Sequence, residues 1–185
     1  MATNARDRLL DAAEELFYAQ GTRATGIEQI LRTSGVGRAS FYRHFASKED
    51  LVLAFLARRR RTWEEVFVPE VRRRGGHPLH VFDVLAERLE RTGYRGCSFI
   101  NTLVELPDPA DPAHRVAVEQ KERMRDFIGE ILAENGYRDE DGRLARQLLM
   151  LYDGASVTGV RERSPRAAHD ARAVAEALLA AVPVG

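Results

Sequence analysis

The chain has 185 residues, is 44% hydrophobic and 30% charged, and carries 28 basic against 28 acidic side chains. That composition suits a folded protein with one large core or two small ones, and zero net charge excludes wholesale coating of nucleic acid or of a membrane. No run approaches the ~20 apolar residues of a membrane span, and Cys97, the only cysteine, excludes an intrachain disulfide or a multi-cysteine metal site.

The first element is amphipathic, with Leu9, Ala13, Leu16 and Phe17 on one face and Gly21 as an expected left-handed cap. MATNARDRLLDAAEELF has acids where a secretory leader has a basic-then-apolar run, so the expected compartment is the cytosol. Thr25-Gly26-Ile27-Glu28 matches a capping box opening a short helix with Ile27, Ile30 and Leu31 inward. Ser34-Gly35 breaks it, and Val36, Phe41 and Phe45 anchor the next helix, roughly Arg38 to His44. Ser47 to Asp50 is a further start signal, for a long helix with Leu51, Val52, Phe55, Leu56, Trp63, Val66 and Phe67 inward, kinked or ended by Pro69.

After RRRGGHP a helix carries Leu79, Phe82, Leu85 and Leu89, and a short apolar segment runs from Cys97 to Leu106. Asp111 caps a long helix with Pro112 at its first position and Ala117, Met124, Phe127, Ile128, Ile131 and Leu132 inward. The next holds Leu144, Leu148, Leu149, Leu151, Tyr152 and Ala155, and Ser164-Pro165 starts the last, with Ala171, Val174, Ala175, Leu178 and Val182. No useful two-residue alternation occurs, so the expected fold class is all-α.

Two short helices joined at Gly35 and braced by a preceding helix form a helix-turn-helix pattern. From Gln29 to Lys48 there is no acid, while Arg32, Arg38, Arg43 and Lys48 are basic. Arg38 is placed to donate to guanine edges in a major groove, and Tyr42, His44 and Lys48 suit phosphate oxygens. Lys48 also begins a helix, and Thr25 offers a hydroxyl and nearby amides to a phosphate. The alternative is a solvated charged face.

TGIEQILRTSGVGRASFYRHFASKEDL, with the preceding LLDAAEELFYAQGTRAT, resembles the DNA-binding domain of the TetR/AcrR family of bacterial transcriptional regulators over roughly Arg6 to Leu56. The resemblance implies an N-terminal three-helix helix-turn-helix domain, residues 1–50, and a larger helical ligand-binding and dimerisation domain, residues 51–185, linked by a long helix from about residue 48. It implies a homodimer, a double-stranded, pseudo-palindromic DNA operator and a small-molecule effector that releases the repressor. The last two helices, LLMLYDGASVTGV and ARAVAEALLAAV, mix bulky and small residues that suit the dimer interface, a monomer core being the alternative. No cofactor, no membrane partner and a cytoplasmic, nucleoid-associated location are expected. Carried onto this chain, Arg38 reads bases with Ser40 and Arg43 next, Ala39 lies close to DNA, and Thr25, Tyr42, His44 and Lys48 hold phosphates. Three positions depart from the family pattern: Leu31, Gly37 and Ala39. For the effector, the large groups Trp63, Phe67, Phe82, Phe99, Met124, Phe127 and Tyr152 are candidate liners, with Cys97 and Asn101 in a segment, RGCSFINTLVEL, that resembles one branch of the family. Ser98, Glu105 and Asp153 are further polar candidates there, Asp153 having a salt bridge as its alternative role.

Three other functions compete for the same residues. A redox sensor would keep the DNA domain and switch through Cys97, helped by Arg95. A helical metal-dependent enzyme would draw on His77, His80, Asp83 and Glu87, but no Glu-x-x-His pair, phosphate-cradling loop or nucleophile context accompanies them, so no catalytic or metal-binding residue is expected. An architectural DNA binder is disfavoured by the neutral chain.

Overall fold

A computed structural model describes residues 4–182; the outer ends of both expected domains, residues 1–3 and 183–185, lie outside them. Every regular element it contains is a helix, as expected.

Asn4 opens α1 (Ala5–Gln20) by accepting from the Asp7 amide at 2.9 Å, and the helix buries Leu9, Leu10, Ala12, Ala13, Leu16 and Phe17. Gly21 ends it at φ 88°, though its ψ of 164° leads into an extended turn and not the left-handed helical region expected. The capping box expected at Thr25–Glu28 does not form. α2 (Ile27–Ser34) starts one residue later than a Thr25 cap requires, behind Gly26. The Thr25 hydroxyl instead donates to the Gly21 carbonyl at 2.8 Å, left over by the turn after α1, and Glu28 pairs with Arg38.

Gly35, at φ 64°, turns the chain through the left-handed region into α3 (Arg38–His44). Ser47 and Asp50 do cap reciprocally: the Asp50 amide donates to Ser47 Oγ and the Ala46 amide to Asp50 Oδ2, both at 3.1 Å, opening α4 (Lys48–Thr62). Trp63–Phe67 form one π turn, with the Val68 amide donating to the Trp63 carbonyl, and α5 (Val68–Arg73) follows with Pro69 in its first turn. A proline ring collides with the carbonyl four residues back in an α-helix, and a wider turn ahead of Pro69 relieves that. Then come α6 (His80–Arg91), α7 (Ser98–Glu105), α8 (Pro112–Glu134), α9 (Arg143–Glu162) and α10 (Arg166–Ala180). Asp111 caps α8 through the Ala113 amide at 2.7 Å, and Ser164 accepts from the Arg166 amide at the start of α10.

The chain forms two compact units, residues 4–61 with Ser98–Val118, and Thr62–Cys97 with residues 119–182. In the first, α2 and α3 pack on α1 over a core that includes Leu9, Ala13, Phe17, Ile30, Phe41, Phe45, Leu51, Phe55 and Leu56. The seven residues of α3 are too few to be helical alone, and burial of Phe41, at about 1.5–3 kcal/mol for such a side chain, holds them there. In the second unit α6, α9 and α10 pack on one another. Gly159 permits the approach of α6 to α9, because a Cβ there would stand 2.7 Å from Leu89 Cδ1.

Candidate functional site

In the first unit α3 is held from below by Phe41 and Phe45, whose rings lie 6.0 Å apart. With that side buried, Arg38, Ala39, Tyr42, Arg43 and His44 are exposed and Ser40 is half-buried. Positions 38, 39, 42 and 43 share one helical face at i, i+3 and i+4 spacing, so the helix turns a contiguous cationic and hydroxyl-bearing face to solvent. Tyr42 sets its ring edge-on to Phe41 at 5.1 Å while remaining 47% exposed.

Arg38 is not idle in the free protein, because it pairs with Glu28 of α2. Both side chains are well exposed, and such surface pairs are worth only about 0–1 kcal/mol, so the guanidinium is cheaply released to a better acceptor. Glu28 lies one position before the acid-free stretch that drew attention in the sequence. Lys48, the first residue of α4, makes one long contact, from Nζ to the Arg23 carbonyl at 3.5 Å. Thr25 is fully buried and its hydroxyl is spent on Gly21, so it braces the loop before α2. Gly37 caps α3 without a side chain, and a Cβ there would meet open space.

One carboxylate organises the turn after α1. Glu105, the last residue of α7, accepts from the Thr22 amide at 2.6 Å, the Thr22 hydroxyl at 2.7 Å and the Arg23 amide at 3.0 Å. Its candidacy as a ligand-orienting group therefore competes with a bracing role already filled. Nothing in the local pattern signals this contact, because its partners are more than eighty positions away in the chain.

In the second unit four of the candidate effector residues come together. Trp63 stacks on Phe67 at 6.3 Å and meets Phe127 edge-on at 5.8 Å, while Phe67 meets Tyr152 edge-on at 5.9 Å. Met124 is buried in the same core. The indole Nε1 of Trp63 is buried with no hydrogen-bond partner among the described residues, a state that costs roughly 1–3 kcal/mol and marks a place where an acceptor is wanted. Beside the rings, Lys121 pairs with Asp153, lies over the Tyr152 ring at 5.7 Å, and reaches Met124 Sδ at 3.8 Å. Burial pushes the Asp153 carboxyl above its ordinary value, and Lys121 works against that rise.

Phe82 lies wholly inside the core and Cys97 is half-buried as a free thiol. Phe99, which is buried, and Asn101, which is exposed, belong to the first compact unit. Lys121 escaped the sequence reading, yet a signal existed: the chain has 26 arginines and two lysines, and the other lysine is Lys48.

A profile of the bacterial regulatory proteins of the tetR family matches residues 9–55, which take in most of α1, all of α2 and α3, and half of α4. Among solved structures the chain is similar to SCO4454, a TetR-family transcriptional regulator from Streptomyces coelicolor, at 34% identity, a TM-score of 0.84, and coverage of 96% of this chain and 95% of that one. It is 25% identical over 178 residues to the HTH-type transcriptional regulator YjdC of Escherichia coli strain K12, covering 94% and 93% of the two chains. An HTH-type transcriptional regulator of the lacX 3′ region in Lactococcus lactis is 28% identical over 122 residues, 63% of this chain and 62% of that protein. The chain belongs to the TetR family of bacterial regulatory proteins, and it is a ligand-responsive, DNA-binding transcriptional regulator.

Proposed function

We propose that the protein is a homodimeric repressor that places α3 of each subunit in a major groove of a pseudo-palindromic operator and lets go when a small molecule binds its second compact unit. The observation that carries the reading is the exposed face of α3, cationic in a chain of zero net charge and mounted on buried Phe41 and Phe45. Arg38 reads base edges, with Ser40 and Arg43 beside it and Ala39 near a thymine methyl. Tyr42, His44 and Lys48 hold phosphates. Thr25 supports the loop from within and leaves the phosphates to its neighbours.

Dimerisation through α9 and α10 draws support from their uncovered apolar side chains, Met150, Val157 and Val160 on α9 and Val174 on α10, which are 41–67% exposed. The effector site draws support from the Trp63, Phe67, Phe127 and Tyr152 rings, the unpartnered indole N–H and the adjoining Lys121–Asp153 pair, a largely apolar setting with a few polar groups to orient a ligand. The protein acts on the chromosome in the cytoplasm and catalyses no reaction.

Selection of duplexes from a random pool by the full-length protein tests this reading. One pseudo-palindrome, with half-site centres about one turn or a multiple of it apart (~34–36 Å), is the expected product. A pool that stays random after selection at low salt would refute sequence-specific binding.

A further inference from the structure

A cavity lies within the first compact unit, which carries α3. It is an open cleft of about 310 Å³ lined by Thr22 and Arg23 after α1, by Lys48, Glu49, Val52 and Leu53 of α4, and by Leu106, Asp111, Pro112 and Ala113 at the α7–α8 junction. At roughly 30 Å³ per heavy atom, water's share of its liquid, that space holds about ten heavy atoms. Its walls are mainly apolar: Val52 and Ala113 are buried, and Leu53 and Leu106 are half-buried.

The polar groups around it are unequally satisfied. Asp111 is taken by the Ala113 amide at 2.7 Å, and Thr22 spends its amide and its hydroxyl on Glu105. A backbone amide and the Ser47 hydroxyl hold the Glu49 carboxyl below its ordinary value, so its acceptor capacity is engaged too. Lys48 makes a 3.5 Å contact with the Arg23 carbonyl and its charge favours the neighbouring Glu49 carboxylate, while the Arg23 side chain is exposed. The cleft thus sets two cations, Lys48 and Arg23, beside an apolar floor, with the two carboxylates, Glu49 and Asp111, each holding at least one backbone amide.

We propose that this cleft binds a small amphipathic carboxylate, its head on Lys48 and Arg23 and a body of about eight carbons against Val52, Leu53, Leu106 and Ala113, and that the bound anion competes with DNA phosphate for Lys48. The competition rests on the reading of Lys48 as a phosphate contact; the binding site does not. Release by this route is direct occupation of a DNA contact and needs no change in the spacing of the recognition helices.

Octanoate, with ten heavy atoms, is the probe; acetate and 1-octanol lack the tail and the charge respectively. Calorimetric titration of the full-length protein should show octanoate bound at least tenfold more tightly than either control. Binding should fall at least tenfold in Lys48→Met and in Leu53→Trp, which fills the floor, and severalfold in Arg23→Met. Fluorescence anisotropy on a labelled duplex should show octanoate weakening DNA binding by wild type, while Leu53→Trp binds DNA normally and ignores octanoate. Thermal melts of each variant establish that it is folded. Failure of octanoate to bind, or equal binding by wild type and folded Leu53→Trp, overturns the site. Loss of octanoate binding in Lys48→Met with DNA affinity unchanged upholds the site and overturns the phosphate reading and the competition with it.

Discussion

Each compact unit contains a group of aromatic rings, and the two groups do different work with similar materials. Phe17, Phe55, Phe41 and Phe45 in the first unit are hydrocarbon throughout, nearly or wholly buried, with Phe17 meeting Phe55 edge-on at 5.5 Å. Trp63, Phe67, Phe127 and Tyr152 in the second bring an unpartnered indole N–H and sit against a lysine–aspartate pair. The first group positions a helix too short to stand alone. The second carries polar groups that packing alone would not select, since a buried donor without an acceptor costs stability and a phenylalanine would not. The proposed effector role of the second group rests on the polar groups beside its rings and not on aromatic size.

Four substitutions press on that contrast, in falling order of effect. Phe41→Ala should cost about 3–5 kcal/mol in urea unfolding, because the ring is fully buried and the gap beneath α3 cannot close. If it costs no more than an exposed substitution such as Val157→Ala, the first group is not the support assigned to it. Arg38→Ala should leave unfolding nearly unchanged yet weaken binding of the selected duplex by about 1–3 kcal/mol and relax preference at one or two base positions. Uniform weakening across sequences would move Arg38 among the phosphate contacts.

Asp153→Asn tests the polar side of the second group through pH. Burial raises the folded-state carboxyl above 3.8, so the folded protein keeps a proton that the unfolded chain releases. The carboxyl's contribution is then most favourable at low pH and is lost as pH rises from about 4 through the raised value, by linkage. Asparagine does not titrate, so the stability of the variant relative to wild type should climb over that interval in parallel denaturation series. A flat difference would mean that Asp153 is as solvated as an ordinary carboxylate. Smallest is Glu28→Gln, which frees Arg38 and should tighten DNA binding by less than about 1 kcal/mol at low salt, an effect that salt erases.

Much of the fold was legible because it rests on local signals. The stripe Leu9, Ala13, Leu16, Phe17, the Asp111-Pro112 start and the Ser47–Asp50 cap all appear in the structure where spacing predicts them. Thr25–Glu28 has the same cap pattern, and the signal misled there, because Gly21 and Arg38 are tertiary partners that outbid the local ones. The outward face of α3 was legible for a related reason: the burial of Phe41 and Phe45 fixes which residues point away. Legibility ended where chemistry depends on distant segments. Trp63, Phe127 and Tyr152 each look like core, and only their assembly leaves an indole without an acceptor. The π turn was equally hidden, since Pro69 announces a disturbance without stating how the backbone absorbs it.

The Glu105 contact has a consequence for how this sequence can change. Three donors from positions 22 and 23 converge on one carboxylate, and Gly21 lies so near that an added Cβ would collide with Glu105 Oε1. Shortening the side chain at 105 strands those donors, and enlarging the residue at 21 evicts the acceptor. The two sites are thus coupled, so a double substitution at 21 and 105 should not cost the sum of the two single ones.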